Sequence, residues 1–226
     1  MTKIYVEPFV GSGAIFFDKE KSPINILNDL DKRRTDLFKM IMKSPKDPEL
    51  YNKDLVSTKR KENFIKKDYK DIPSMILKER ILLTGGFNKQ PVKNNNVFDI
   101  YDPYTTFQHI GLYQDKLKGV KILNQDYEKV IKQYDGPDTF FYLDPPYTTA
   151  MKDSGTGYVK GSDDFDYDRL NEVLQKIKGK FLMSLNNSQY IKQTFKKFKI
   201  KEVIIPINRE PKFRKELLIS NYDFHL

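Results

Sequence analysis

Cysteine is absent from this chain of 226 residues, which excludes disulfide staples, thiolate metal sites and cysteine nucleophiles. Histidine is almost as scarce. His109 and His225 stand alone, with no ligand partner at useful spacing, so no metal site is expected. No window approaches the roughly 18 consecutive apolar residues of a membrane helix. No apolar signal stretch precedes the strand-like Ile4-Tyr5-Val6. These absences predict a soluble, intracellular protein. With 226 residues it can bury a full-sized core, either as one domain or as one domain carrying an insertion.

Negative charge is in deficit. Forty Lys and Arg face 31 Asp and Glu, for a formal charge of +9. An excess of this kind concentrates a polyanion near the surface and speeds encounter. Residues 53–70 hold seven Lys/Arg against three acids, and residues 192–215 hold nine against two. Nucleic acid is one reading of these clusters and solvated helix faces are the other; charge alone does not separate them. Lys192, Lys196, Lys197 and Lys199 have the spacing of a solvated helix face.

Apolar patterning places parallel core strands at 4–7, 24–28, 139–143 and 180–185, with a shorter strand at 121–124. Helices are predicted over 32–43, 127–134 and 167–178, and a further helix capped by Ser188 runs to about 198. Strands at 202–207 and 215–222 are joined by a link short enough for an antiparallel hairpin. The alternation makes the core α/β, a Rossmann-like sheet with a terminal hairpin. Residues 50–118 break it. They are basic and turn-rich, with Gly85-Gly86, Asn94-Asn95-Asn96 and Asp102-Pro103, and read as an inserted, partly helical subdomain. The expected organisation is therefore a core of 1–49 and 119–226 carrying an insert at 50–118.

The densest chemistry lies at Asp144-Pro145-Pro146-Tyr147, immediately after the apolar Phe140-Phe141-Tyr142-Leu143. Two prolines lack N–H groups and fix φ, so neither a sheet ladder nor a helix continues through them. The strand must end in a stiff loop that presents a carboxylate, backbone carbonyls and an aromatic ring. Ligands of open α/β sheets sit at such strand ends. This group suits a planar base with an exocyclic amine: the carboxylate and a carbonyl accept the amine hydrogens, and the ring stacks. The following residues, 148–165, are rich in Gly, Ser, Thr and Asp, a loop long enough for a lid. Tyr158 and Phe165 could close the other side of the base; core anchoring is the equal alternative for Phe165.

A second ligand position follows the first strand, at Glu7-Pro8-Phe9-Val10-Gly11-Ser12-Gly13. Gly11 and Gly13 permit a tight turn and a close backbone approach. Phe9 could border a ligand there or be buried beneath the loop. Asp29, after the second strand, stands where an acid grips ribose hydroxyls, with Asp31 as the competing candidate. Asp126 could accept the amine of an adenine or simply start a helix. The third glycine of a dinucleotide fingerprint and the Gly-Lys-Ser/Thr of a P-loop are both missing. These acids suit a neutral nucleoside better than a pyrophosphate, which they would repel.

With these residues in place, the chain resembles the Dam-like, D12 class of DNA adenine-N6 methyltransferases. Residues Glu7–Gly13 are similar to that family's S-adenosylmethionine loop, and Asp144–Tyr147 match its catalytic motif, in the same order and with the recognition region between them. Asn124-Gln125-Asp126-Tyr127 is similar to a further cofactor motif, Phe87-Asn88 with Pro91 to a short recognition sequence, and Arg214–Tyr222 to the last strand. The resemblance implies methyl transfer from S-adenosylmethionine to adenine N6 in DNA, with the base flipped out of the duplex. It makes Asp144, Pro145, Pro146 and Tyr147 catalytic. Glu7, Pro8, Phe9, Gly11, Gly13, Asp29 and Asp126 become the cofactor set, and the insert becomes the target-recognition subdomain. Tyr147, Tyr158 and Phe165 stack on the base, and Lys89, Arg209, Lys212 and Arg214 hold phosphates. Such a protein would be cytoplasmic or nucleoid-associated.

Similar motifs also serve cytosine-N4 and RNA-base methylation, and a weakly active nucleic-acid-binding module is the remaining alternative. Family members begin with a Lys-, Trp- and Gly-containing segment before the first strand, whereas here Met1 lies only a few residues before it. The expectation is that a second chain or self-association covers the cofactor, that binding is weak and exposed, or that the sequence is a shortened form.

Overall fold

The computed structural model describes residues 2–44, 110–147, 165–207 and 212–224. In chain order its elements are β1 (Ile4–Glu7), α1 (Ala14–Asp18), β2 (Ile24–Asn28), α2 (Lys32–Lys43), α3 (Ile110–Leu117), β3 (Lys121–Leu123), α4 (Tyr127–Tyr134), β4 (Thr139–Leu143), α5 (Tyr167–Leu174), β5 (Lys180–Asn186), α6 (Gln189–Thr194), β6 (Lys199–Ile207) and β7 (Lys212–Ser220). They fall into two compact units. Residues 1–10, 22–30 and 125–226 make the first, and residues 11–21 and 31–124 the second.

Six strands belong to the first unit, in the order β2-β1-β4-β5-β7-β6. β1 pairs in parallel with β2 and β4, and β4 pairs in parallel with β5. β7 runs antiparallel to both β5 and β6, which makes the expected terminal hairpin. Four parallel strands therefore deliver their carboxyl ends to one edge: Glu7, Asn28, Leu143 and Asn186. Val6, Phe141, Leu143, Phe181, Met183, Leu217 and Ile219 are buried along these strands, and Val130, Ile131, Leu170, Leu174 and Ile191 come from the helices. Each such side chain contributes about 1.5–3 kcal/mol on burial, which makes the sheet edge a rigid base for the loops that leave it.

The second unit holds α1, α2, α3 and β3. Phe17 packs against Phe38 and edge-on against Tyr113, with ring centroids 5.9 and 4.8 Å away. Gln114 Nε2 donates to the Ile41 and Ser44 carbonyls at 2.9 and 2.6 Å. A side chain from α3 thus satisfies backbone acceptors that the end of α2 leaves open. α3 lies within the span expected to be the insert; residues 45–109 lie outside the described residues.

The expected elements recur, with shifted ends. β6 begins at Lys199 and β7 at Lys212, because the hairpin ladder runs from Lys199↔Ser220 to Ile207↔Lys212. α5 stops at Leu174 although Ile177 keeps the apolar spacing. Past its end the Lys176 N–H tightens onto the Val173 carbonyl, and the Asp135 carboxylate accepts the Lys178 and Gly179 N–H groups at 2.9–3.0 Å. Gly179 is needed there, since a Cβ would sit 2.7 Å from the Thr139 carbonyl oxygen. Ser188 caps α6 as expected, accepting from Ile191 N, but α6 ends at Thr194: the Phe195 N–H makes the last helical bond, to the Ile191 carbonyl, and the Phe198 N–H closes a tighter turn on the Phe195 carbonyl.

Candidate active site

β4 is still paired at Leu143, opposite Met183 of β5, and the ladder ends at Asp144, where the two prolines remove the donors that would continue it. Three side chains from other elements hold the loop that follows. Ser184 of β5 donates its hydroxyl to Asp144 Oδ1 at 3.1 Å. Tyr142 lies 3.2 Å from the same Ser184 oxygen; with the serine proton committed to Asp144, the tyrosine is the donor. Tyr167, at the start of α5, donates to the Pro146 carbonyl. Tyr147 donates to Glu216 Oε1 of β7 at 3.1 Å, and Arg214 closes on that oxygen at 2.6 Å.

Asp144 opens to solvent at the strand end, yet protein atoms crowd it. Desolvation is the largest influence and pushes its carboxyl up to about 6; the Ser184 hydrogen bond opposes the rise, Glu216 adds to it, and Arg214 and Tyr147 oppose it. Water that reaches the carboxylate moderates the desolvation. The result is a carboxylate with one oxygen oriented, ionised at neutral pH and close to the range where it takes up a proton. Tyr142, beneath it, is pushed up to about 12, chiefly by burial, so its hydroxyl stays a donor.

The neighbouring strand ends carry the expected cofactor residues. Glu7 is buried and accepts the Tyr5 hydroxyl at 2.5 Å. Asn28 ties three loops together: Nδ2 donates to the Pro8 and Gln125 carbonyls, each at 2.9 Å, and Oδ1 accepts Gln125 N at 2.9 Å. Its carbonyl accepts Val10 N at 2.8 Å. This places the half-buried Asp29 directly after a pinned residue. Asp126 is the N-cap of α4, accepting Glu128 N at 3.0 Å, and Arg169 of α5 clamps both of its oxygens at 2.8 and 3.0 Å. Asp126 therefore holds the helix-start role, with both oxygens already engaged. Arg169 also reaches Glu128 at 2.6 Å and lies 5.0 Å over the Tyr127 ring.

Phe9, Tyr127, Phe165 and Tyr167 form one aromatic cluster, with Phe9–Tyr127, Phe9–Phe165 and Phe165–Tyr167 centroids at 5.1, 5.6 and 5.0 Å. Phe165 is half-buried and held among these rings. In the second unit, Gly11 and Gly13 have φ of 52° and 73°. Gly13 is the N-cap of α1, and a Cβ there would meet the Phe17 ring at 3.0 Å and Phe38 at 3.2 Å. Asp31 caps α2 and accepts the Arg33 guanidinium at 2.7 Å, which holds its carboxyl below the usual range.

The structure brings Asp144, Pro145, Pro146 and Tyr147 together with Ser184, Glu216, Tyr142 and Tyr167, none of which sequence reasoning had singled out for the site. Arg214 joins this group through Glu216. Tyr158, Lys89 and Arg209, the Lys212 side chain and most of the expected lid lie outside the described residues. Among the described residues no group of three or more His, Asp or Glu could hold a metal ion, and no helix is long and apolar enough to cross a membrane.

A family model for D12 class N6 adenine-specific DNA methyltransferases matches residues 2–204. The chain belongs to this family. Its D12 membership accompanies similarity to three Type II methyltransferases. M.MjaIII of Methanocaldococcus jannaschii is 28% identical, over 97% of this chain and 89% of that protein. M1.LlaDCHI of Lactococcus lactis subsp. cremoris is 26% identical, over 88% and 78%. M.CviBI of Paramecium bursaria Chlorella virus NC1A is 23% identical, over 84% and 76%. In this D12 methyltransferase the proline loop leaves the sheet edge shared by the carboxyl ends of β1, β2, β4 and β5.

Proposed function

We propose that this D12 methyltransferase transfers a methyl group from S-adenosylmethionine to N6 of adenine in DNA, acting on a base flipped out of the duplex. The observation that carries this reading is Asp144, solvent-reachable and oriented by Ser184, beside a tyrosine ring held by Glu216. A Type II role fits the modification half of a restriction–modification pair.

The donor set suits the cofactor. Glu7, Asp29 and Asp126 are carboxylates at or beside strand ends of the first unit, a set that accepts ribose hydroxyls and an adenine amine and favours a cationic ligand over a phosphate. Bound S-adenosylmethionine would supply an electrophilic methyl group: N6 would form the new bond to carbon, the sulfur would keep the electron pair of the broken bond and leave as a thioether, and N6 would release one proton to water. Adenine N6 is a poor nucleophile because its lone pair is delocalised into the ring. Asp144 and the Pro145 carbonyl accept the N6 hydrogens, which favours a tetrahedral nitrogen and stabilises the positive charge that grows on it. Ser184 engages Oδ1, so Oδ2 is assigned to N6. Tyr147 stacks on the base, which returns roughly 1–3 kcal/mol against an unstacking cost of a few kcal/mol. Lys89, Arg209, Lys212 and Arg214 are assigned to phosphates, and residues 50–118 to target recognition.

Incubation with labelled S-adenosylmethionine and unmethylated DNA, with RNA in parallel, followed by nucleoside mass analysis, tests the reading. N6-methyladenine from DNA supports it; N4-methylcytosine or a methylated ribonucleoside would replace it with the corresponding alternative. Asp144 must be ionised to accept the N6 hydrogens, so kcat/KM should fall as pH drops through about 6. A flat acid limb would remove Asp144 from that role.

A further inference from the structure

We propose that Glu216 is a positioning residue of the target-base pocket: its buried carboxylate, paired with Arg214, fixes the hydroxyl of Tyr147 and balances the charge around Asp144. The inference rests on the methyl transfer proposed above and adds a residue from a strand that carries no part of the catalytic motif.

A carboxylate at this place is costly for the fold. Glu216 is 3% exposed, opposite Asn186 of β5, and is followed on β7 by the buried Leu217 and Ile219. A hydrophobic side chain would be tolerated there at no desolvation cost, and a buried ion pair adds little stability of its own. What the charge does provide is geometry. Glu216 Oε1 accepts Tyr147 Oη at 3.1 Å and an Arg214 nitrogen at 2.6 Å. Tyr147 follows two prolines in a loop, and its ring is half-buried. Anchored by its hydroxyl, that ring is oriented before the base arrives, which removes an ordering cost from the binding step. Arg214, 38% exposed along its side chain, compensates the carboxylate from the rim.

The same pair acts on Asp144 with opposite signs: Glu216 raises its proton affinity and Arg214 lowers it. Among the described residues, the groups facing Asp144 are Tyr142 from β4, Ser184 from β5, Glu216 and Arg214 from β7, and Tyr147 from its own loop. Tyr142 also feels Glu7 of β1. Removing one member of the Glu216–Arg214 pair therefore shifts Asp144 in a direction set by the charge removed.

Glu216→Gln keeps the volume and an acceptor oxygen, Arg214→Gln removes the cation, and Tyr147→Phe removes the hydroxyl but keeps the ring. Single-turnover formation of N6-methyladenine is followed from pH 5 to 8.5 at saturating DNA, with cofactor affinity and melting temperature measured for each protein. The acid limb should move to lower pH in Glu216→Gln and to higher pH in Arg214→Gln. On the neutral plateau Tyr147→Phe should slow transfer about tenfold in the wild-type background and only a few-fold in Glu216→Gln, because a hydrogen bond to a charged acceptor is worth more than one to a neutral acceptor. A purely structural Glu216 would lower the melting temperature without opposing shifts. Unmoved limbs, or an equal effect of Tyr147→Phe in both backgrounds, would overturn the proposal. The Asp144 carboxyl 13C resonance, assigned by its loss in Asp144→Asn, reports the same opposing shifts without catalysis. A wild-type protein that forms no N6-methyladenine while that resonance still moves both ways would instead overturn the proposed function and leave the Glu216–Asp144 coupling in place.

Discussion

Asp144 holds its proton more tightly in the fold than an ordinary carboxylate does, and that preference has a consequence for stability as well as for chemistry. Its value rises from the usual 3.8 to about 6, with burial the largest cause. The folded state therefore binds the proton better than the unfolded chain, so ionising Asp144 costs stability as pH climbs through that interval, and the cost persists above it. Asp144→Asn removes the charge but can still accept from Ser184. It should raise the melting temperature at pH 8, and the gain should shrink towards pH 4, where wild-type Asp144 is largely protonated. Equal changes at both pH values would show that the charge is not the cause. Tyr147→Ala should impair transfer to duplex DNA more than to DNA whose target adenine is already unpaired, because stacking offsets the cost of extruding the base. Equal losses on the two substrates would place Tyr147 outside base positioning.

At the scale of elements, two glycines of the second unit, one capping α1 and one inside α3, respond differently to substitution. Gly13→Ala puts an L residue at φ 73° with a Cβ against the Phe17 and Phe38 rings; the backbone strain alone costs roughly 1–2 kcal/mol. Gly111, inside α3, has nothing within 4 Å of its missing Cβ, so Gly111→Ala should stabilise by about 0.5–1 kcal/mol. Urea unfolding of the two variants should give opposite signs; the same sign for both would contradict the turn geometry. Asp29→Ala should weaken S-adenosylmethionine binding in calorimetry, and unchanged affinity would shift the ribose role to Asp31.

Much of this level is readable in the chain. α2 and α4 have the apolar spacing and the start and stop residues that bound them at 32–43 and 127–134, and the proline pair marks the end of β4. The supports of the site are not readable in the same way. Ser184 meets Asp144 across 40 positions and Glu216 meets Tyr147 across 69. Such pairs exist only once the β4–β5 and β5–β7 registers are set, and nothing local to Ser184 or Glu216 announces them. The path of the chain beyond α5 is hidden for the same reason, because the Asp135 carboxylate, 43 positions from Lys178, holds that N–H group.

For the whole molecule, the +9 charge predicts DNA binding that weakens steeply with salt as condensed counterions are released. Arg209→Ala should lower affinity to a similar degree on unrelated DNA sequences and flatten the salt slope by about one. Salt-independent binding would remove the basic surface from the phosphate role. The chemistry itself is tested most directly by counting N6-methyladenine formed in a single turnover by wild-type protein and by Asp144→Asn, with S-adenosylmethionine affinity measured separately on both. The expected result is N6-methyladenine from the wild type, a strongly reduced rate in the variant, and unchanged cofactor affinity. An undiminished rate in Asp144→Asn would contradict polarisation of N6 by this carboxylate, however well the remaining residues fit.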